Sequence, residues 1–112
     1  MNITAQALDS VFGRGAAGVR LRLEREVDGV WWHVTTAETD GAGVVKGWDT
    51  AQLERGLYRM IFDSDHYFVN LGMTAAYPEI AVMFRIIGDV SSFQIQVTLS
   101  PYSYSTYFGS NG

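Results

Sequence analysis

The chain has 112 residues, of which 47% are hydrophobic and 18% charged, with a formal net charge of −4 and no cysteine. One domain spanning residues 1–112 is expected, of a size at which association would usefully bury further surface. Disulfides, thiol nucleophiles and thiolate metal sites are excluded, and with no basic excess neither nucleic acid nor anionic lipid is an expected partner.

In chain order, "NITAQAL" opens as a strand. No basic region with a long apolar run stands at the start and no stretch approaches a membrane span, so a soluble, cytoplasmic protein with no membrane partner is expected. "GRGAAG", residues 13–18, has the glycines of a phosphate loop, but no Lys-Ser/Thr follows and a strand comes next, so it reads as a flexible turn. "VRLRLEREV" sets Val19, Leu21 and Leu23 against Arg20, Arg22 and Glu24, the period of a half-buried strand. "VWWHVTT" and "GLYRMIFD" continue the pattern. Residues 65–72, "DHYFVNLG", read as a short helix with an aspartate at its start and a glycine at its stop. "EIAVMFRII" and "SFQIQVTLS" complete an all-β sandwich pattern. In the last of these Phe93, Ile95, Val97 and Leu99 share one face, while Gln94, Gln96 and Thr98 form a polar but uncharged second face. Such a face suits an enclosed wet surface, an interface or channel, as well as open solvent.

Few residues suggest chemistry by themselves. His33 and His66 fall in different elements with no chelating partner, so no metal is expected and each reads as a surface or packing residue. Asp63 and Asp65 lie at a strand-to-helix junction, where capping explains them. The serines lack the turn of a nucleophile elbow.

The tail "LSPYSYSTY" resembles the C-terminal signature of the transthyretin and 5-hydroxyisourate hydrolase family. The resemblance extends to "ALD" at Ala7 to Asp9, "GRGAAGVRLRLER", "TDG" at Thr39 to Gly41, "GLYRMIFDSDHYF" and "YPEIAVMFRI", and "YPE" is closer to the hydrolase branch. It implies an eight-stranded antiparallel β-sandwich with one short helix. It also implies a homotetramer, in which chains pair edge to edge into dimers and two dimers enclose a channel that holds small-molecule sites, with no cofactor.

By the same resemblance, four positions that carry ionisable side chains in the hydrolases are uncharged. The histidine before "VLD" is Gln6, the arginine after "DG" is Ala42, the late-strand histidine is Gln94, and the arginine of "YRGS" is Phe108. The catalytic candidates are therefore Gln6, Gln94, Tyr107 and Ser110. Leu8, Ala42, Gln96, Thr98, Ser105 and Phe108 are the substrate-binding candidates, with Phe108 equally able to serve packing. Glutamine cannot act as a general base near neutrality, and loss of two arginines removes bidentate recognition of an anionic or carbonyl-rich substrate. Three functions stay open: a different reaction on a small cyclic metabolite (cyclisation, isomerisation or ring opening), ligand binding without catalysis, and residual isourate hydrolysis.

Overall fold

The computed structural model describes residues 2–45, 48, 53–87 and 92–110. Its alternating segments become strands β1 (Asn2–Asp9), β2 (Arg14–Gly15), β3 (Arg20–Val27), β4 (Val30–Glu38), β5 (Val44–Val45) and β6 (Gly56–Phe62). Helix α1 (Ser64–Asn70) follows, then β7 (Ile80–Ile86), β8 (Ser92–Leu99) and β9 (Tyr104–Ser110). One sheet runs β2-β1-β8-β9 with β5 also on β1, and the other runs β4-β3-β6-β7. Apart from the two-residue bridge β2, this is the expected eight-stranded sandwich with one helix. The β1–β8 pair is parallel, and the other pairs are antiparallel.

Strands β1, β3, β6, β7 and β8 each contribute an apolar row to a shared core. Ile3, Ala5 and Ala7 of β1 and Phe93, Ile95, Val97 and Leu99 of β8 are buried together with Leu21, Leu23, Tyr58, Met60, Phe62, Ile80 and Ile86 of the other sheet. Phe68 of α1 closes one side. Burying each large side chain contributes about 1.5–3 kcal/mol, so the alternation is enforced on both sheets.

The helix starts one residue earlier than its sequence suggests because Asp63, not Asp65, is the cap, its Oδ1 accepting from the His66 backbone N–H at 3.3 Å. Gly72, at φ +75°, follows it in the left-handed region.

The glycine-rich stretch expected as a flexible turn is instead pinned. Gly15 and Arg14 pair with Leu8 and Asp9, the Ala16 N–H donates to Ala7 O at 2.8 Å, and Thr39 Oγ1 donates to Ala16 O at 2.6 Å. A Cβ on Gly15 would sit 2.0 Å from the Ala42 carbonyl oxygen, so only glycine allows the 40–43 turn to lie this close.

Asp9 ends β1 with its carboxylate turned inward, 1% exposed. Its Oδ1 accepts from the Val11 and Phe12 N–H groups at 2.8 and 3.1 Å, and its Oδ2 from the Tyr67 hydroxyl at 2.5 Å. Burial, and then the Asp9 carboxylate, push the Tyr67 phenol up to about 12.

Candidate functional site

The alternation that sends Ile3, Ala5 and Ala7 inward turns Thr4, Gln6 and Leu8 outward, and on β8 it does the same for Gln94, Gln96 and Thr98. Register aligns them across three strands. Leu8 lies opposite Thr98, and Thr98 opposite Ser105; Gln6 opposite Gln96, and Gln96 opposite Tyr107; Thr4 opposite Gln94, and Gln94 opposite Gly109. Val44 of β5 flanks Gln6 on its other side. The central pair is joined directly, Gln96 Nε2 donating to Gln6 Oε1 at 2.9 Å. In these rows the Tyr107 phenol is the one group that can ionise, so the face offers hydrogen bonds without fixed charge.

Ala42 sits beside the Leu8 end. Its N–H donates to Asp40 Oδ1 at 2.9 Å, as does that of Val44, which fixes the turn, and its carbonyl covers Gly15, the partner of Leu8. Seven of the ten candidate residues thus share one outer face with Ala42 at its margin.

Phe108 and Ser110 do not join them. Register places Phe108 opposite Ile95 and Ser110 opposite Phe93, both inward-facing residues, so their strand positions belong to the reverse face. The Phe108 ring packs on Phe93 and Phe84 at centroid distances of 5.2 and 5.5 Å and covers the core along β9. The packing alternative for Phe108 is the one the geometry realises. The parity of the tail carried this information, since residues 105 and 107 are odd-numbered and 108 and 110 even.

Two contributors went unnoticed in the sequence. Thr4 completes the Gln94 row, and Gly109 leaves space that the Tyr107 side chain fills, with Tyr107 Oη 2.6 Å from where a Gly109 Cβ would be.

The histidines lie elsewhere. His33 is exposed on β4 opposite Glu24, and His66 is exposed on α1 with its ring Nε2 3.3 Å from Asn70 Nδ2. Among the described residues no three His, Asp or Glu side chains converge as a metal site, and no helix is long and apolar enough to cross a membrane. The best-formed hollows among the described residues lie away from the uncharged face. A concavity of about 560 Å³ lies along Arg20, Arg22, Thr36, Glu38, Ile61 and Asp63 of the other sheet, and hollows of about 330 and 270 Å³ border α1. None of the three borders the Gln6–Gln96 row.

A five-stranded and a four-stranded layer, a helix after β6 and a hydrogen-bonding row on the outer face of β1, β8 and β9 define a transthyretin-like domain. The sequence profile of the HIUase/Transthyretin family matches residues 3–109, and the chain belongs to that family. It is 35% identical over 109 residues to a 5-hydroxyisourate hydrolase of Salmonella dublin, covering 96% of this chain and 80% of the relative. A 5-hydroxyisourate hydrolase of Mus musculus is 34% identical over 111 residues, covering 96% and 94%. Among solved structures, transthyretin from Sparus aurata superposes with a TM-score of 0.93 at 29% identity, covering 99% of this chain and 98% of that one. Sea bream transthyretin in complex with thyroxine gives 0.94 at 29% identity, covering 100% and 98%.

Proposed function

We propose that this protein is a diverged member of its family that binds and orients a small cyclic metabolite on the uncharged face, within a channel made by a homotetramer, and turns it over by cyclisation, isomerisation or ring opening. The observation that carries this reading is the absence of any charged side chain from the three rows centred on Gln6, Gln96 and Tyr107. Hydrolysis of an isourate ring needs an activated water and stabilisation of developing negative charge. Losing a general acid or base costs about 10²–10⁴-fold and losing an electrostatic donor about 10²–10³-fold. A preorganised neutral surface still accelerates reactions whose main demand is orientation. In this reading Gln6 and Tyr107 contact the reacting ring, Leu8, Gln96, Thr98 and Ser105 hold it, Gln94 flanks it on the side that the Tyr107 ring covers, and Ala42 leaves the entrance open. Phe108 and Ser110 support β9 from behind. An outer sheet face gains walls when a second copy lies across it, which favours the channel.

A second reading, ligand carriage without turnover, is favoured by the superposition on a transthyretin solved with thyroxine. Decay of 5-hydroxyisourate, followed by absorbance, tests the main reading. Wild-type protein leaves the uncatalysed rate unchanged, and restoring charge through Gln6→His, Ala42→Arg and Gln94→His together raises it. Acceleration by wild type of more than about tenfold would place the protein with the hydrolases and overturn the proposal.

A further inference from the structure

We infer that the Gln6–Gln96 pair reads an uncharged cyclic amide, a lactam or imide ring, through its N–H and C=O together; this rests on the reading that the uncharged face is the ligand site. A primary carboxamide offers one acceptor oxygen and one NH₂ donor group. The bond from Gln96 Nε2 to Gln6 Oε1, 2.9 Å long, uses one of each and leaves the NH₂ of Gln6 and the oxygen of Gln96 unused. Exchanging oxygen and nitrogen in both amides reverses the bond and still leaves one NH₂ and one oxygen, so the unused pair does not depend on that assignment. Among the described residues no other side chain takes up either group. A donor and an acceptor presented together match a ring that carries an N–H beside a carbonyl.

Tyr107 sets where such a ring sits. It lies opposite Gln96, and its ring leans over Gly109, with Oη, Cε1 and Cζ at 2.6, 2.8 and 2.9 Å from the position of a Gly109 Cβ. The phenol therefore covers the Gln94 side of the pair. The open ground lies on the other side, bordered by Leu8, Thr98 and Ser105, an apolar side chain and two hydroxyls. An anion of the same size meets no cation in these rows and a carboxamide oxygen that repels it, so it would lose hydration without compensation.

The probes are 2-quinolone, its N-methyl derivative and 2-naphthoate, titrated into ¹⁵N-labelled full-length protein while the side-chain NH₂ signals of Gln6 and Gln96 are followed. Both signals shift saturably with 2-quinolone. The N-methyl derivative, which has lost the donor, binds at least about tenfold more weakly, and 2-naphthoate produces no saturable shift. Gln6→Met and Gln96→Met keep the side-chain length without the hydrogen-bonding groups, and each, with its backbone spectrum otherwise unchanged, loses the preference for 2-quinolone over its N-methyl form. Equal affinities for those two probes on wild type, or tighter binding of 2-naphthoate, overturn the role of the pair while leaving the face as a ligand site. Absence of any shift along the face with all three probes also overturns it, and the isourate assay then judges the underlying reading separately.

Discussion

The two outer faces of the sandwich are built by the same period-2 rule and are chemically opposite. The exterior of β3, β4, β6 and β7 carries Arg22, Glu24, Glu38, Arg59 and Arg85. There Arg59 bonds Glu24 at 2.5 Å and stacks its guanidinium 4.3 Å from the Trp31 ring centroid, while Arg22 bridges Glu24 and Glu79 at 3.5 Å each. The exterior of β1, β8 and β9 carries amides, hydroxyls, one phenol and the apolar Leu8, and the carboxylate of β1, Asp9, is turned into the interior. A face that needs only to stay in water is well served by charge. A face from which charge is withheld along three strands is suited to meeting another surface or a neutral ligand.

The contrast can be broken most forcefully at the inward carboxylate. Asp9→Ala leaves two backbone N–H groups and the Tyr67 hydroxyl without their acceptor, and at about 1–3 kcal/mol for each unsatisfied donor, partly relieved by water, the expected loss is about 3–5 kcal/mol. Urea unfolding midpoints measure it, and a loss below about 1 kcal/mol would show that the clamp is dispensable.

Tyr67→Phe tests the same clamp from the helix side at a smaller cost, about 1.5–3 kcal/mol for a hydrogen bond to a charged group. It also has a pH signature. Folding raises the Tyr67 phenol from 10.0 to about 12, so the neutral form is favoured by the fold. Its contribution is complete below pH 10 and is lost as pH rises toward 12. Wild type therefore loses stability across that alkaline window, and the phenylalanine variant loses measurably less.

Much of this architecture is legible in the sequence because it follows from local rules. Phe93, Ile95, Val97 and Leu99 alternate without interruption, and the register that buries them leaves Gln94, Gln96 and Thr98 together outside. What escapes is set by long-range contact. Asp9 and Tyr67 are 58 residues apart, so neither signals the other. Gly15 looks like a flexible turn until the Ala42 carbonyl is seen to fill the space a side chain would need. The helix start moved by one residue because two aspartates compete for the cap and local spacing cannot choose between them. Family resemblance points Phe108 and Ser110 to the site, although the parity of their positions assigns them to the reverse face.

On the charged exterior a single substitution should matter less. Burial pulls the Glu24 carboxyl up, but the hydrogen bond from Arg59 and the charges of Arg59 and Arg22 outweigh it and hold the group below the usual carboxylate range. The stabilisation is thus present above the unfolded carboxylate value and is lost as pH falls through the depressed one. Glu24→Gln costs less than about 1 kcal/mol at neutral pH, since its arginine partners are partly exposed. Thermal melts from pH 7 down to pH 3 should show the difference between variant and wild type shrinking toward the acid end, and a gap that widens there would reverse the assignment.

The smallest effect on the fold is expected where the contrast between the faces is sharpest. Gln94→Lys introduces one cation onto the uncharged face. The side chain is half-buried, and a lysine there is long and flexible enough to carry its ammonium past its neighbours into water. In a single chain this costs less than about 0.5 kcal/mol, the ordinary range for a surface change. In the proposed channel the same substitution brings like charges from facing copies into a confined space, where repulsion is screened far less than in bulk water. Light scattering at micromolar concentration should therefore give a mass of four chains for wild type and two for the variant, with superimposable unfolding curves for the dissociated chains. Added salt should return part of the variant to the larger mass. A wild-type mass of one chain would remove the channel from the reading, and a variant that keeps the four-chain mass at low salt would show that the uncharged face does not lie between copies.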